Sequence, residues 1–365
     1  MSSYCDKISY ALLTTSKADF SAMVDDLLAQ LPAHETILRL VFFGRPVDNE
    51  MYLEQRSVLH KKVERFFGIN RPSLSYVSQP PLNTPLLLEV HGYLPDKEDA
   101  VVYGKTGEYS YVIIENQEGK FLFAGGFQGD VTGSSIDEQS RAVFCCVEKL
   151  LRKEGFPVNS IVRQWNYIER ITSFDDNDQH YQSFNNVRAA FYKQVEWPYG
   201  YPAATGIGAN PGGVLVDFDA VLLKRIEDRI RPIDNRLQIA AHSYSTKVLK
   251  KSSDQKQTPK FERAKSLDIT GKRLIYVSGT AAIRGEESLK DVGVGQQLAI
   301  TLENINELTG RSRLLMLRVY LKHKDDFAIC AELMRRKFPD LPVSYMWADV
   351  CRDELLIEIE GIAVI

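Results

Sequence analysis

The closing stretch of the chain alternates between apolar and acidic residues. Residues 355–364 read Leu-Leu-Ile-Glu-Ile-Glu-Gly-Ile-Ala-Val, and this period of two predicts a β-strand with Glu358 and Glu360 on one face. A carboxylate in so apolar a run is unfavourable unless it is solvated, paired or protonated. A solvent-exposed sheet face is the simpler interpretation, and a buried, protonated glutamate that can donate a proton is the alternative.

Two strands and two helices are predicted upstream of this strand. Apolar alternation predicts strands over residues 272–281 and 314–321, and apolar residues at helical spacing predict helices over 293–308 and 325–337. A loop bounded by two prolines, at 339–342, separates the second helix from the closing strands. This order of elements describes one α+β unit.

The same order occurs a second time in the middle of the chain. The elements predicted there are strands over 120–126, 162–171 and 213–223 and helices over 136–151 and 179–195. Residues 202–208 are predicted to form a loop, because they contain a proline and two glycines. Asp217 follows Pro202 at almost the spacing at which Glu358 follows Pro342, so we expect Asp217 to occupy the place of Glu358.

A third, degenerate copy is predicted at the N-terminus, with its opening half shortened. Its mid-strand covers 38–43, its helix 49–67 and its closing strands 72–93, where Glu89 lies in an apolar run like that around Glu358. We therefore expect an α+β fold of three tandem βαβ units, over residues 1–98, 99–240 and 241–365. They should form a pseudo-trimer within a monomer, with sheets facing inward and helices outside.

Composition excludes several classes of function. The 365 residues carry a net charge of -3, so no broad basic surface is expected for nucleic acid. No apolar run is long enough to span a bilayer, and no secretory leader is evident, so we expect a cytoplasmic protein with a small-molecule ligand. The five cysteines lack metal-ligand spacing, so neither zinc nor a disulfide framework is expected. The polar residues 250–259 should form an exposed linker or lid.

Pockets in such an assembly form in the clefts between neighbouring units. Glu358 and Cys351 of the last unit are therefore expected to face polar groups of the middle unit. Those groups are Arg163, Tyr167, Tyr181, Arg188, Thr205 and Gly206. Each has a simpler alternative, because an arginine near acidic residues is more often in a surface ion pair and a tyrosine at apolar spacing is more often core.

The repeat resembles a known family. Residues 276–279, 296–305 and 357–364 are similar to the RidA/YjgF family of small trimeric imine deaminases. In that family the glutamate matching Glu358 orients a catalytic water, and an arginine shortly after the loop proline holds the substrate carboxylate. That arginine is absent after both Pro202 and Pro342, which argues against imine deamination.

A second resemblance covers about residues 100–365 and involves several separated motifs in order. They are Arg-Gln-Trp-Asn-Tyr-Ile at 163–168, Tyr-Gln-Ser-Phe-Asn-Asn-Val-Arg at 181–188, the segment 202–208, Phe-Glu-Arg-Ala at 261–264 and Asp-Val-Cys-Arg at 349–352. Together they resemble the chorismatase family, also labelled pteridine-dependent deoxygenases. The resemblance implies cleavage of the enolpyruvyl ether of chorismate with release of pyruvate, and it implies no metal or organic cofactor.

The resemblance and the chemistry together suggest roles. An enol ether must be protonated on its methylene before it is cleaved, and a desolvated Glu358 is the expected general acid. The two carboxylates of chorismate require cationic or multiple hydrogen-bonding partners. Arg163, Arg188, Tyr167, Tyr181 and the Thr205–Gly206 backbone are the candidates.

Two positions are implied by the resemblance to decide the product. Cys351 resembles the branch that forms 3-hydroxybenzoate, with or without the 4-isomer, whereas Ala264 resembles the hydrolytic branch that forms a dihydroxycyclohexadiene carboxylate. We expect hydroxybenzoate formation. Hydrolysis, imine deamination and non-catalytic sensing of a metabolite remain the alternatives.

Overall fold

The computed structural model describes residues 2–175, 178–225, 227–243 and 258–365. The polar segment expected to be a linker or lid lies outside the described residues up to residue 257. None of the helices in the described ranges is long and apolar enough to cross a membrane.

The first unit is a four-stranded sheet covered by two helices. Its elements are α1 (Tyr4–Lys7), β1 (Ile8–Thr14), α2 (Phe20–Ala29), β2 (Thr36–Phe43), α3 (Asn49–Phe67), β3 (Ser73–Val77) and β4 (Leu87–Tyr93). The strand order is β1-β4-β2-β3, with β2 and β3 parallel. The opening half of this unit is present although no strand was predicted there. Both of its elements are shortened, since β1 has 7 residues and α2 has 10, whereas their counterparts in the second unit have 10 and 19.

The second unit repeats this sheet and extends it by a hairpin. Its elements are β5 (Ala100–Thr106), β6 (Tyr109–Glu115), β7 (Gly119–Gln128), α4 (Ile136–Glu154), β8 (Ile161–Glu169), β9 (Phe174–Asp175), β10 (Asp178–Gln179), α5 (His180–Tyr192), β11 (Ala203–Ala209) and β12 (Val214–Leu223). The strand order is β11-β8-β12-β7-β6-β5. The segment predicted as a loop at 202–208 is instead the strand β11, because its backbone pairs in parallel with β8.

The third unit also has a six-stranded sheet. Its elements are β13 (Arg229–Ile233), β14 (Ala264–Ile269), β15 (Lys272–Ala281), β16 (Ile283–Arg284), β17 (Glu287–Ser288), α6 (Val294–Thr309), β18 (Arg313–Leu321), α7 (Phe327–Lys337), β19 (Val343–Trp347) and β20 (Ile357–Val364). The strand order is β13-β14-β15-β20-β18-β19. The strand β13 pairs with β14 and so belongs to this sheet. The sheet therefore begins at residue 229, before the unit boundary at residues 240 and 241 that was expected from the sequence.

The hydrophobic core has two layers. Three outer clusters each lie within one unit, between its sheet and its helices, as Val143, Phe184 and Val216 do in the second unit. Two inner clusters combine residues of all three units, so the sheets face one another around a common axis. The predicted α+β architecture, with inward-facing sheets and outer helices, is confirmed.

Strand register corrects one expectation about the repeat. Arg318 pairs with Glu360 on β20, Trp165 pairs with Asp217 on β12, and Val41 pairs with Glu89 on β4. A bulge in β15 lies opposite Glu360, and a bulge in β7 lies opposite Asp217. The two bulges give the same alignment of the units. Asp217 and Glu89 therefore correspond to Glu360. The positions that correspond to Glu358 hold Leu215 and Leu87, since these pair with Tyr167 and Phe43 as Glu358 pairs with Tyr320.

Candidate active site

A cavity of about 770 Å³ lies in the cleft between the second and third units. Its walls come from α5 and β11 on one side, from β15 and β20 on the other, and from the hairpin β16–β17 and residues 351–355 at the rim. Among the residues that line it are Tyr181, Asn185, Gly206, Arg263, Gly279, Glu286, Ser288, Cys351, Arg352 and Glu358. Four of the nine predicted site residues are among them: Glu358, Cys351, Tyr181 and Gly206.

Glu358 projects into the cavity from the inner face of β20. Its neighbours Ile357 and Ile359 point to the opposite face and pack in the outer core, as the period of two requires. The side chain is 5% exposed, so the expectation of a wet sheet face is wrong. Its carboxyl lies directly against Gly279, where a Cβ would collide with Oε1 of Glu358. Among the described residues, none forms a hydrogen bond to this carboxyl.

The environment of Glu358 favours the protonated acid. Burial, and next the negative charge of Glu360, raise the pKa of Glu358 to about 8, although Arg263, Arg163 and Arg352 act in the opposite direction. At neutral pH the group therefore holds its proton inside the cavity. A carboxylic acid in this state can donate a proton to a bound molecule.

Cys351 lines the same cavity on the loop that precedes β20. Burial and the nearby charge of Glu358 raise the pKa of the Cys351 thiol to about 12. The sulfur is consequently a neutral thiol at physiological pH. It can shape the cavity and exclude water, but it is a poor nucleophile in this state.

Helix α5 supplies one polar wall. Tyr181, Asn185 and Arg188 are separated by four and three residues, which places them on one face of the helix. Phe184 and Val187 lie on the other face, in the outer core. Burial raises the pKa of the Tyr181 phenol, so Tyr181 presents a neutral hydroxyl beside the cavity.

Arg188 lies one turn behind the wall and is 1% exposed. Its Nη2 donates to Oδ1 of Asn185 at 2.6 Å, and its Nε has no hydrogen-bond partner. Among the described residues, no carboxylate is within ion-pair distance of Arg188. A buried guanidinium without an anion is unfavourable, so this side of the cavity is suited to a negatively charged ligand.

Arg163, Tyr167 and Thr205 lie behind the cavity wall, in a network around the central axis. Arg163 forms an ion pair with Glu360, and its Nη2 donates to Oγ1 of Thr205 at 2.7 Å. The Tyr167 hydroxyl accepts from Nη1 of Arg318 at 2.7 Å. Nη2 of Arg163 and the hydroxyls of Tyr167 and Thr205 are thus engaged with protein partners. In the described part of the chain, Nε and Nη1 of Arg163 have no hydrogen-bond partner.

The remaining predicted residue, Ala264, is fully buried on β14. Its methyl group packs in the outer core of the third unit, away from the cavity. Arg263 immediately before it does line the cavity. An effect of position 264 on a ligand would therefore be transmitted through the placement of Arg263.

Sequence reasoning missed two cationic residues of the wall. Arg263 donates from Nη2 to the carbonyl of Ile239 at 2.9 Å. Arg352 donates from Nη1 to the carbonyl of Glu286 and to Oγ of Ser288, at 2.9 and 3.0 Å. A signal for both was present, because each stands within one of the short motifs, at 261–264 and 349–352.

The chain is similar in sequence to known proteins. A family model described as chorismatase FkbO/Hyg5-like, N-terminal, matches residues 93–220. A 3-hydroxybenzoate synthase of Streptomyces hygroscopicus is 29% identical over 290 residues, which are 73% of this chain and 77% of the relative. A chorismatase of Streptomyces rapamycinicus is 30% identical over 286 residues, which are 72% of this chain and 77% of the relative.

The fold has a close counterpart among solved structures. A crystal structure of a chorismatase at 1.08 Å resolution matches with a TM-score of 0.69 and 21% identity, covering 100% of this chain and 99% of the other. At that identity the match establishes the shared fold. With the sequence relatives, it shows that the chain belongs to the chorismatase family.

Proposed function

We propose that this chain is a chorismatase that cleaves the enolpyruvyl ether of chorismate, releasing pyruvate and 3-hydroxybenzoate. The observation that carries the proposal is Glu358, a carboxyl with a pKa near 8 enclosed in a cavity whose polar wall includes arginines. Support also comes from relatives named chorismatase and 3-hydroxybenzoate synthase. Glu358 serves as the general acid.

The first step is transfer of the Glu358 proton to the terminal methylene of the enolpyruvyl group. The electron pair of the enol ether double bond takes up this proton, and an oxocarbenium ion results. The ring hydroxyl oxygen at C4 then bonds to the cationic carbon and releases its proton, which returns to Glu358. Breakage of the C4–O bond and loss of the C3 proton aromatise the ring, and that proton goes to the departing oxygen. The resulting hemiketal collapses to pyruvate and 3-hydroxybenzoate, which together contain all the atoms of chorismate. No redox cofactor is needed for that balance.

The charges around the cavity suit a dianionic substrate. Arg263 and Arg352 lie on its wall, and the buried Arg188 faces it through Asn185. Guanidinium groups bind carboxylates through strong charge-assisted hydrogen bonds. We assign one substrate carboxylate to the side formed by Tyr181, Asn185 and Arg188, and the other to the side formed by Arg263 and Arg352.

The product assignment depends on Cys351. Its thiol lines the cavity, whereas Ala264 lies in the outer core. Cys351 is the residue that resembles the hydroxybenzoate branch, and a relative named 3-hydroxybenzoate synthase aligns over most of the chain. The alternative, hydrolysis to a dihydroxycyclohexadiene carboxylate, rests on the resemblance of Ala264 to the hydrolytic branch.

The test is incubation of the purified protein with chorismate. Pyruvate is followed by coupling to lactate dehydrogenase, and the ring product is identified by mass spectrometry and NMR. We expect equimolar pyruvate and 3-hydroxybenzoate. Glu358→Gln should bind chorismate without releasing pyruvate, because an amide cannot supply the proton.

Each other result has a distinct meaning. Pyruvate together with a dihydroxycyclohexadiene carboxylate would show that the protein hydrolyses chorismate and does not form 3-hydroxybenzoate. Stabilisation of the protein by chorismate without pyruvate would instead identify a ligand sensor. Full activity of Glu358→Gln would refute Glu358 as the acid.

A further inference from the structure

Thr205 and Glu360 make contacts that a substrate-binding role does not require. Glu360 follows Glu358 on the same face of β20 and is 2% exposed. It forms ion pairs with Arg163 and Arg318, and it accepts from the Tyr320 hydroxyl at 2.9 Å and from Trp165 Nε1 at 3.1 Å. Thr205 Oγ1 also donates to it. Glu360 is therefore held by side chains of its own unit and of the second unit.

The Thr205 hydroxyl links the Glu360 carboxylate to the backbone segment against which the Glu358 carboxyl lies. Besides donating to Glu360, Oγ1 accepts from the backbone N–H of Gly279 at 3.0 Å. Gly279 lies in the bulge of β15, where pairing with β20 is interrupted between Val277 and Thr280. One hydroxyl thus anchors an irregular backbone segment whose own ladder bonds are broken.

The carboxyl of Glu358 depends on that segment for its position. Within the described residues it has no hydrogen-bond partner, and it lies against Gly279 with the Thr205 methyl group beside it. A side chain that is placed only by packing moves when its support moves. The contacts run from Glu360 to Thr205, from Thr205 to Gly279, and from Gly279 to Glu358.

We propose that Thr205 and Glu360 are positioning residues for Glu358. They hold the β15 bulge in place, so that the carboxyl of Glu358 stays buried and directed into the cavity. This inference rests on the proposed function of Glu358 as the acid. It gives Thr205 a role different from contact with substrate. It also accounts for a second glutamate two residues from the first.

The same bridge occurs once more among the described residues and provides a control. Ser75 pairs with Val41 as Thr205 pairs with Trp165, so the two hydroxyls are equivalent. Ser75 Oγ donates to Asp217 at 2.6 Å across the cleft between the first and second units. That cleft has Leu215 in place of Glu358. The bridge joins units in both clefts, but only Thr205 also supports an acid.

The experiment measures how Glu358 titrates, independently of turnover. Infrared difference spectra between a given variant and the same variant carrying Glu358→Gln isolate the Glu358 carboxyl band across a pH series. The charged and titratable groups that face Glu358 are Glu360, Arg263, Arg163, Arg352, Cys351 and Tyr181. All of them are retained when Thr205 is replaced by valine, which keeps the shape and removes the hydroxyl.

We expect Thr205→Val to lower the pH at which Glu358 titrates by about one unit, because the loosened bulge admits water. With chorismate, kcat should fall about tenfold while KM changes less than about twofold, since only the placement of the acid is altered. Thr205→Ser should restore both quantities. Ser75→Ala, which removes the equivalent bridge, should leave the Glu358 titration unchanged.

An unchanged titration of Glu358 in Thr205→Val would overturn the inference, whatever the loss of thermal stability. If the valine variant does not fold, the same titration of Glu358 is measured in Thr205→Ala. A wild-type protein that releases no pyruvate would refute the proposed function, while the infrared titration would still decide the positioning role.

Discussion

The cleft between the second and third units and the cleft between the first and second units use the same strand positions with different side chains. In the former, Gly206 and Glu358 border an open cavity. In the latter, the equivalent residues are Tyr76 and Leu215, as the pairing registers with β2, β8 and β18 show. The Tyr76 ring stacks on Tyr52, with 5.2 Å between ring centroids, and fills the space.

The third cleft, between the third and first units, follows the closed pattern. Tyr345 occupies the position of Gly206, and Leu87 occupies that of Glu358. Tyr345 packs edge-on against Phe327 of α7. The same backbone arrangement therefore has a tyrosine and a leucine in two of the clefts that the structure describes. In the cleft with the cavity, glycine replaces the tyrosine and glutamate replaces the leucine. Activity is a property of side chains placed on a repeated scaffold.

The largest effect is expected when the acid is replaced by the residue of the closed clefts. Glu358→Leu should lower kcat for pyruvate release by about 10²- to 10⁴-fold, the usual contribution of a general acid. Thermal stability should not fall at neutral pH, because leucine is the residue that the other two clefts bury there. Steady-state kinetics and thermal unfolding check both statements. Substantial turnover would show that the proton comes from elsewhere.

Closing the cavity should have the next largest effect. A Cβ at Gly206 would lie 2.9 Å from Tyr181 Cε2, so Gly206→Tyr must displace Tyr181 and fill the cleft as Tyr76 does. We expect kcat/KM to fall on the order of 10²-fold, equivalent to about 3 kcal/mol of lost binding. Chorismate should no longer raise the melting temperature. A variant that still binds chorismate would contradict the comparison of the clefts.

Removing the buried cation should separate binding from stability. Arg188→Met should raise KM about 10- to 100-fold, since a hydrogen bond to a charged group contributes about 1.5–3 kcal/mol. Without ligand the variant should be at least as stable as the wild type, because it no longer buries an unpaired charge. Kinetics and thermal unfolding without chorismate measure the two effects. A large loss of unliganded stability would assign Arg188 a structural role.

The smallest effect concerns pH. Because the folded pKa of Glu358 is raised to about 8, its acid form predominates below that value, and pyruvate release should fall about tenfold per pH unit above it. The sign for stability is the same. The unfolded chain ionises this group near its usual pKa of 4.5, so stability falls as pH rises from there through about 8. Glu358→Leu should remove this part of the pH dependence, which unfolding at several pH values can detect.

Local patterns predicted the elements well where the period was strong. The alternation around Glu358 gave a strand, and helical spacing gave α6 and α7 nearly at their observed bounds. Prediction failed at β11, where proline and glycine suggested a loop but pairing with β8 makes a strand. It also failed for Asp217, because the connection between β19 and β20 is longer than that between β11 and β12, so equal spacing from the proline does not mean an equivalent position. Arg263 and Arg352 were missed since their convergence depends on packing between distant segments.

The sequence by itself determined three strand-and-helix units, a final strand with two glutamates on one face, and a resemblance that identified the family. The alternating pattern alone could not separate the two glutamates, because Glu358 and Glu360 have nearly the same neighbours along the chain, and only the resemblance selected Glu358. The tertiary structure separates them. Arg163 and Arg318 converge on Glu360, whereas Glu358 faces Gly279 and a cavity. Whether a carboxyl is paired or holds a proton depends on the groups that surround it in space. Those groups come from positions far apart along the chain and, in the case of Arg163, from another unit of the fold.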